Sequence, residues 1–248
     1  MGAFFHTILY QPIFNALVFL YEILPVRDFG IAIILLTIII RFALLPLSVS
    51  ALRSQTALRE IQPQIKAIQD RVKKEKKNPQ EATQEIMALY RAHGINPFQG
   101  FLPILVQLPI LFALYRALFS TLAHRGATFT ADLYPFVSPP TNFSLESFGG
   151  AVNLTSPSLL LAVFAGIAQF IQSHLAFRQS PQGKGGKGDF AAAMSFQMRF
   201  FFPIFTIFIV RLLPAGIAIY WIVTTMVSIL QQLLLQKKPK ARDAVTVP

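Results

Sequence analysis

One arginine stands where an arginine is costly. The stretch Phe29–Ser50 reads FGIAIILLTIIIRFALLPLSVS, and Arg41 interrupts an otherwise oily run. A run of ~20 apolar residues is long enough to cross the hydrocarbon core as a helix. A guanidinium near the middle of that helix costs ~2.5–3.5 kcal/mol on insertion scales. Its pKa is too high for it to shed the proton as a buried lysine would. Thr37, Arg41 and Ser48 fall four and seven residues apart, one polar stripe on an apolar wheel. The bland reading is an ion pair inside a bundle. Yet the apolar spans, roughly 30–50, 101–121, 157–177, 199–213 and 215–235, contain no Asp or Glu. Water is the remaining partner, and the chemistry open to the cation is electrostatic attraction of an acidic segment.

Further polar groups recur on the other spans. Gln107 lies on the second, Gln169 and Gln172 on the third, and Trp221, Thr224, Ser228 and Gln231 follow one another by three, four and three on the fifth. Taken singly, each reads best as an interhelical hydrogen bond. Taken together with a lone arginine, they describe a hydrated concavity, because polar structure at membrane depth is tolerated only where it is buried in protein or lines water.

The elements that must position these residues are helices, and the expected fold is an all-α polytopic membrane protein. At 248 residues, 54% apolar and 13% charged, the chain is too oily for an ordinary soluble domain. Residues 1–28 carry Thr7, Gln11, Asn15 and Glu22 on one face, predicting an amphipathic helix on the outer surface, with a sixth span as the rival. The spans are then 29–50, 99–121, 157–178, 199–213 and 214–236, the last starting after the turn Pro214-Ala215-Gly216.

Between the first two spans, residues 51–98 hold nine Lys/Arg. Leu58, Ile61, Ile65, Ile68 and Val72 form one seam there, and Ala82, Ile86, Leu89 and Tyr90 a second. Asn78-Pro79-Gln80-Glu81 is a helix start and Gly94 a stop, so the block reads as a helical hairpin. A solvated hairpin with no partner is its plainer reading.

Residues 122–156 form an external loop with Arg125 as its one Lys/Arg, 179–198 a Gly/Lys linker, and 237–248 a basic tail. Segments 51–98, 178–199 and 237–248 carry 17 Lys/Arg, against Arg27, Arg125 and Arg211 on the opposite side. The positive-inside rule then puts the N-terminal region outside and the C-terminus in the cytoplasm. With 1.5 Å rise per residue, the polar groups fall in the inner half of the bilayer, so the cavity opens to the cytoplasm.

Several classes are excluded or disfavoured. With no cysteine, thiol catalysis, disulfides and zinc–thiolate sites are out, and four scattered histidines give no metal site. GKGGKG in the linker lacks the Ser/Thr of a phosphate loop, so no nucleotide site is expected. HExxH, GxSxG and paired intramembrane Asp are absent, and neither an enzyme nor a cofactor is expected. No basic n-region precedes the first apolar run, so no cleavable signal peptide is expected. An anion channel or transporter using Arg41 for selectivity is the rival class, though no repeat or acidic coupling site supports it. The net charge of +11 suits anionic lipids and an acidic or RNA-bearing partner, with Lys73, Lys74, Lys76, Lys77, Lys237, Lys238 and Lys240 as the docking cations.

Three blocks resemble the YidC-type membrane protein insertases. They are IIIRFALLPLS, ALYRAHGINPFQGFLPILVQLPILFALYRAL and FFPIFTIFIVRLLPAGIAIYWIVTTMVSILQQ, in the family's order and spanning about Tyr10 to Gln236. The resemblance implies a five-helix core, an outer amphipathic helix, a cytoplasmic hairpin, and a hydrophilic groove open to cytoplasm and lipid. In it the groove arginine matches Arg41, and the polar positions match Gln107, Gln172, Tyr220 and Trp221. It also implies nascent membrane proteins as clients, cooperation with the ribosome and the Sec translocon, and a bacterial plasma-membrane location. Within these 248 residues there is neither the large periplasmic domain of Gram-negative members nor the lipoprotein cysteine common in Gram-positive ones. Arg116 matches no family role and reads as a snorkelling anchor.

Overall fold

Apolar periodicity becomes helix nearly throughout the computed structural model, which describes residues 2–75, 78–96, 99, 102–123, 130–140, 144–177 and 200–235. Helix α1 runs Ala3–Ile23, with a π-turn at His6–Tyr10. Tyr10, Ile13, Phe14, Leu17, Val18 and Tyr21 recur every one or three residues and are buried together. Phe4, Ile8, Phe19 and Ile23 face outward.

The middle of the polar stripe faces a loop, while Thr7 stays exposed. Asn15 is buried, donating to the Asp132 carbonyl at 2.8 Å and accepting from the Tyr134 N–H at 2.6 Å. Gln11 donates to the same carbonyl at 3.4 Å, and Glu22 pairs with Arg27 at 3.5 Å. A stripe of this kind can serve a loop's backbone as well as solvent. Arg116 likewise stacks over the Tyr10 ring, 4.6 Å from its centroid, instead of reaching outward on its own.

Helix α2 spans Phe29–Ala43 and begins at a side-chain cap, Asp28, whose one oxygen accepts from the Ile31 N–H at 3.0 Å. The other accepts from the Phe148 N–H at 2.5 Å. Two short strands, β1 (Glu146–Ser147) and β2 (Val152–Asn153), pair antiparallel beside this helix start. Ser147 Oγ accepts from the Gly30 N–H at 2.8 Å, and a Cβ on Gly30 would itself sit 2.8 Å from that oxygen. Only glycine lets the strand come this near.

The single span expected over 29–50 is broken. Helix α2 ends at Ala43, Leu44 takes φ −87° and ψ 4°, and α3 continues Leu45–Glu60 at 62° to it. Pro46, in the first turn of α3, has no N–H for the Phe42 carbonyl four residues back, and its ring clashes with that carbonyl in a straight helix.

Helices α4 (Gln62–Lys74) and α5 (Pro79–Ala92) pack antiparallel through Ile61, Ile65, Ile86, Leu89, Tyr90 and Ile95. Arg71 bonds Glu85 across the pair. Asn78 accepts from the Gln80 N–H at 3.0 Å, and Gly94 closes α5 at φ +63°, where the Ile95 N–H reaches the Tyr90 carbonyl at 2.9 Å. Burial raises the pKa of the Tyr90 hydroxyl and lowers that of Arg59 at the base of this pair.

Helix α6 is Leu102–Ala123, α7 Leu159–Phe177, α8 Phe202–Val210 and α9 Ala215–Leu235. Helix α9 is central, packing against α2, α3, α6 and α7. Its first donors are held by the preceding loop, Ala215 N–H to the Ser156 carbonyl and Gly216 N–H to the Leu154 carbonyl, both 2.9 Å.

The helix lengths do not by themselves establish the five-span count. Among the described residues, α1, α7 and α9 are long and apolar enough to cross a membrane, and a broken α2–α3 pair would make a fourth. The apolar part of α6 is shorter, and α8 has nine residues, ~14 Å at the helical rise. Phe112, Phe164, Ile167, Phe205, Phe208, Met226 and Leu230 are exposed around the bundle. An apolar surface this broad suits lipid as solvent and would be an aggregation liability in water.

Candidate functional site

The break between α2 and α3 sets the site. It places Arg41 in the last turn of α2, near the end where helix carbonyls carry a partial negative charge. Sequence spacing put the arginine mid-span and left water as its only relief; the helix pole is a second source that periodicity does not reveal. Arg41 forms no ion pair with any acid among the described residues. Its Nε is buried without a hydrogen-bond partner among them.

Tyr220 is the electrostatic neighbour of Arg41, brought there by α9. The Tyr220 side chain is almost wholly buried, and its hydroxyl accepts a hydrogen bond from Gln107 Nε2 on α6. One turn along α9, the Thr224 hydroxyl is buried beside the same phenol. Three helices thus bring Arg41, Gln107, Tyr220 and Thr224 together, four of the residues expected at the site. Thr37, a turn before Arg41, is buried and donates to the Ile33 carbonyl at 2.6 Å.

Other expected residues are placed differently. Ser48 lies beyond the break, and its Oγ donates to the Leu44 carbonyl at 3.2 Å, within the first turn of α3. Trp221 packs with Ala162, Ala165, Val210 and Ala218, the cluster joining α7, α8 and α9. Gln169 and Gln172 are half-buried on α7 and form no hydrogen bond with the described residues. Ser228 donates to the Thr224 carbonyl at 2.9 Å. Lys73 and Lys74 are exposed in the last turn of α4, whereas Lys76, Lys77, Lys237, Lys238 and Lys240 lie outside the described residues.

One polar cluster escaped sequence reasoning. Gln99 accepts from Ser54 at 2.5 Å and donates to Ser50 at 2.6 Å, tying α3 to the segment before α6. The i,i+4 pair Ser50 and Ser54 was its available signal.

Comparison with known proteins gives one family throughout. The family model described as "60Kd inner membrane protein" matches residues 19–242. A Clostridium tetani protein named "Membrane protein insertase YidC" is 34% identical over 220 residues, covering 89% of this chain and 87% of its own. Proteins of the same name from Wolinella succinogenes and Rickettsia bellii are 33% and 32% identical over 98% and 94% of this chain. This chain spans only 40% and 39% of those two relatives.

Proposed function

Since this chain belongs to the 60Kd inner membrane protein family, that of the YidC insertases, we propose that it inserts membrane proteins through a hydrated, positively charged groove centred on Arg41. The observation that carries this reading is the Arg41 guanidinium itself, held at a helix break beside Tyr220 with its Nε buried and unpartnered among the described residues. A broken helix at membrane depth belongs where backbone is buried in protein or lines water.

A nascent segment arrives from the ribosome or the cytoplasm, and its acidic polar tail is drawn toward Arg41. Gln107, Tyr220 and Thr224 offer polar neighbours part-way across, so the oily distance left to the tail is shorter. The client's apolar segment then partitions into lipid past the exposed faces of the bundle. The driving force is that partition, together with the membrane potential at ~2.3 kcal/mol per charge per 100 mV. Nucleotide hydrolysis has no part in this scheme. Residues 51–98 and the tail from 237 lie on the cytoplasmic side, α1 lies along the outer surface, and the ribosome, the Sec translocon and anionic lipids are the partners.

The test is insertion in proteoliposomes. Arg41→Ala lowers insertion of clients with acidic translocated tails and spares those with neutral tails, while Arg41→Lys largely preserves both. Equal activity of Arg41→Ala on acidic clients would sink the electrostatic mechanism. Solute flux without client insertion would favour a channel instead.

A further inference from the structure

Pro46 lies outside the polar cluster, yet the position of Arg41 depends on the break it sits in. We propose that Pro46 is a positioning residue for the groove: by keeping α2 and α3 apart, it holds the negative pole of α2 beside Arg41 and keeps the guanidinium at Tyr220. The inference rests on the groove reading above.

Three observations converge on this role. The axes of α2 and α3 differ by 62°, and the two helices meet at Leu44 with Pro46 in the first turn of the second. Arg41 occupies the last turn of the first helix, where the partial charge of the unsatisfied carbonyls is concentrated. No acid among the described residues pairs with it, so the partial charge of the helix pole is what the fold sets against it.

Removing the proline undoes this arrangement. An alanine at position 46 restores an N–H to the Phe42 carbonyl and lets one helix run through. The pole then moves several turns away from Arg41. Left amid a continuous apolar helix, the long side chain turns along the helix toward water and out of the site.

The chain contains no cysteine, so an introduced thiol is the sole target for labelling reagents. Thr224→Cys places one beside Tyr220, and the ratio of its reaction rates with an anionic and a cationic thiosulfonate reads the local potential. With Pro46 intact, the anionic reagent is favoured. In Pro46→Ala that preference falls about two- to tenfold because the guanidinium leaves the site, the factor by which a lost helix pole lowers its occupancy there. It is lost in Arg41→Ala. In a separate pair of proteins without the Thr224 substitution, spin labels on Ile31→Cys and Glu60→Cys report the bend. Their separation lengthens by about 6 Å when the helix straightens, at the 1.5 Å rise per residue.

A straightened helix with the lowered ratio supports the proposal. An unchanged separation, or a straightened helix with an unchanged ratio, overturns the role of Pro46 and leaves the groove standing. A Thr224→Cys thiol that neither reagent reaches in any of these proteins means a dry site, and overturns the groove and the inference together.

Discussion

Asn15 illustrates how much a single buried amide can hold. Its side chain satisfies the Asp132 carbonyl and the Tyr134 N–H, backbone groups more than a hundred residues away, while only 2% of Asn15 stays exposed. Replacing it by leucine leaves both groups without their partner inside a packed interface, a cost of about 1–3 kcal/mol for an unsatisfied buried polar group. We expect Asn15→Leu to lower the melting temperature in detergent and to raise hydrogen exchange at residues 130–137. Unaltered exchange there would mean the loop is held by other contacts. The sequence marked Asn15 as polar on an amphipathic helix, and that much was legible. Its partner was not, because periodicity records which face is polar and cannot tell water from a distant backbone carbonyl. Arg41 is the reverse case: its type and apolar surroundings singled it out, whereas its place at a helix pole depended on a break that only the geometry displays.

Between elements, the contact of α7 with α8 is set by one missing side chain. A Cβ on Gly166 would lie 2.2 Å from Ile207 Cγ1 and 2.6 Å from its Cδ1, too close for any rotation of the isoleucine to be free of cost. Gly166→Ala therefore destabilises the pair by about 1–3 kcal/mol, the usual cost of overpacking. Ile207→Ala in the same protein recovers much of that loss, so the two substitutions are strongly non-additive. Additive losses in a thermal-unfolding cycle would show that the helices meet elsewhere. The hairpin was the most legible of the elements: its two seams, the Asn78 cap and the Gly94 stop all follow from side-chain chemistry a few residues away. Span boundaries were less legible. Pro46 stood in plain view within the run, but a proline near a helix start and one that breaks a span look alike until the flanking axes are known. The phenylalanines of 199–213 mark a short apolar span, and hydrophobicity alone does not fix how many of its residues are helical, Phe202–Val210 among the described residues.

At the scale of the whole molecule, charge and oil are segregated along the chain. The apolar helices expose their side chains around the bundle, while the basic residues collect in residues 51–98, 178–199 and 237–248. In the proposed orientation these basic segments share the cytoplasmic side, where ribosomal RNA presents phosphates. Lys73 and Lys74 are exposed at the end of α4, the far end of the hairpin from the base packed by Ile61 and Ile95. Neutralising Lys73, Lys74, Lys76 and Lys77 to glutamine and removing the chain beyond Gln236 takes away eight of the 22 Lys/Arg without touching Arg41 or its neighbours. Counterion release makes log affinity for nucleic acid fall with log salt by roughly 0.7–0.9 for each phosphate neutralised. Ribosome co-sedimentation should therefore weaken most at low salt, where screening is least, and the salt slope should flatten by several such increments. Glutamine retains the length and helix propensity of lysine, so α4 keeps its form and a lost slope reports charge alone. A variant that co-sediments with an unaltered slope would place the ribosome contact on other residues, while one that also loses client insertion into ribosome-free liposomes would show that these cations serve the groove as well.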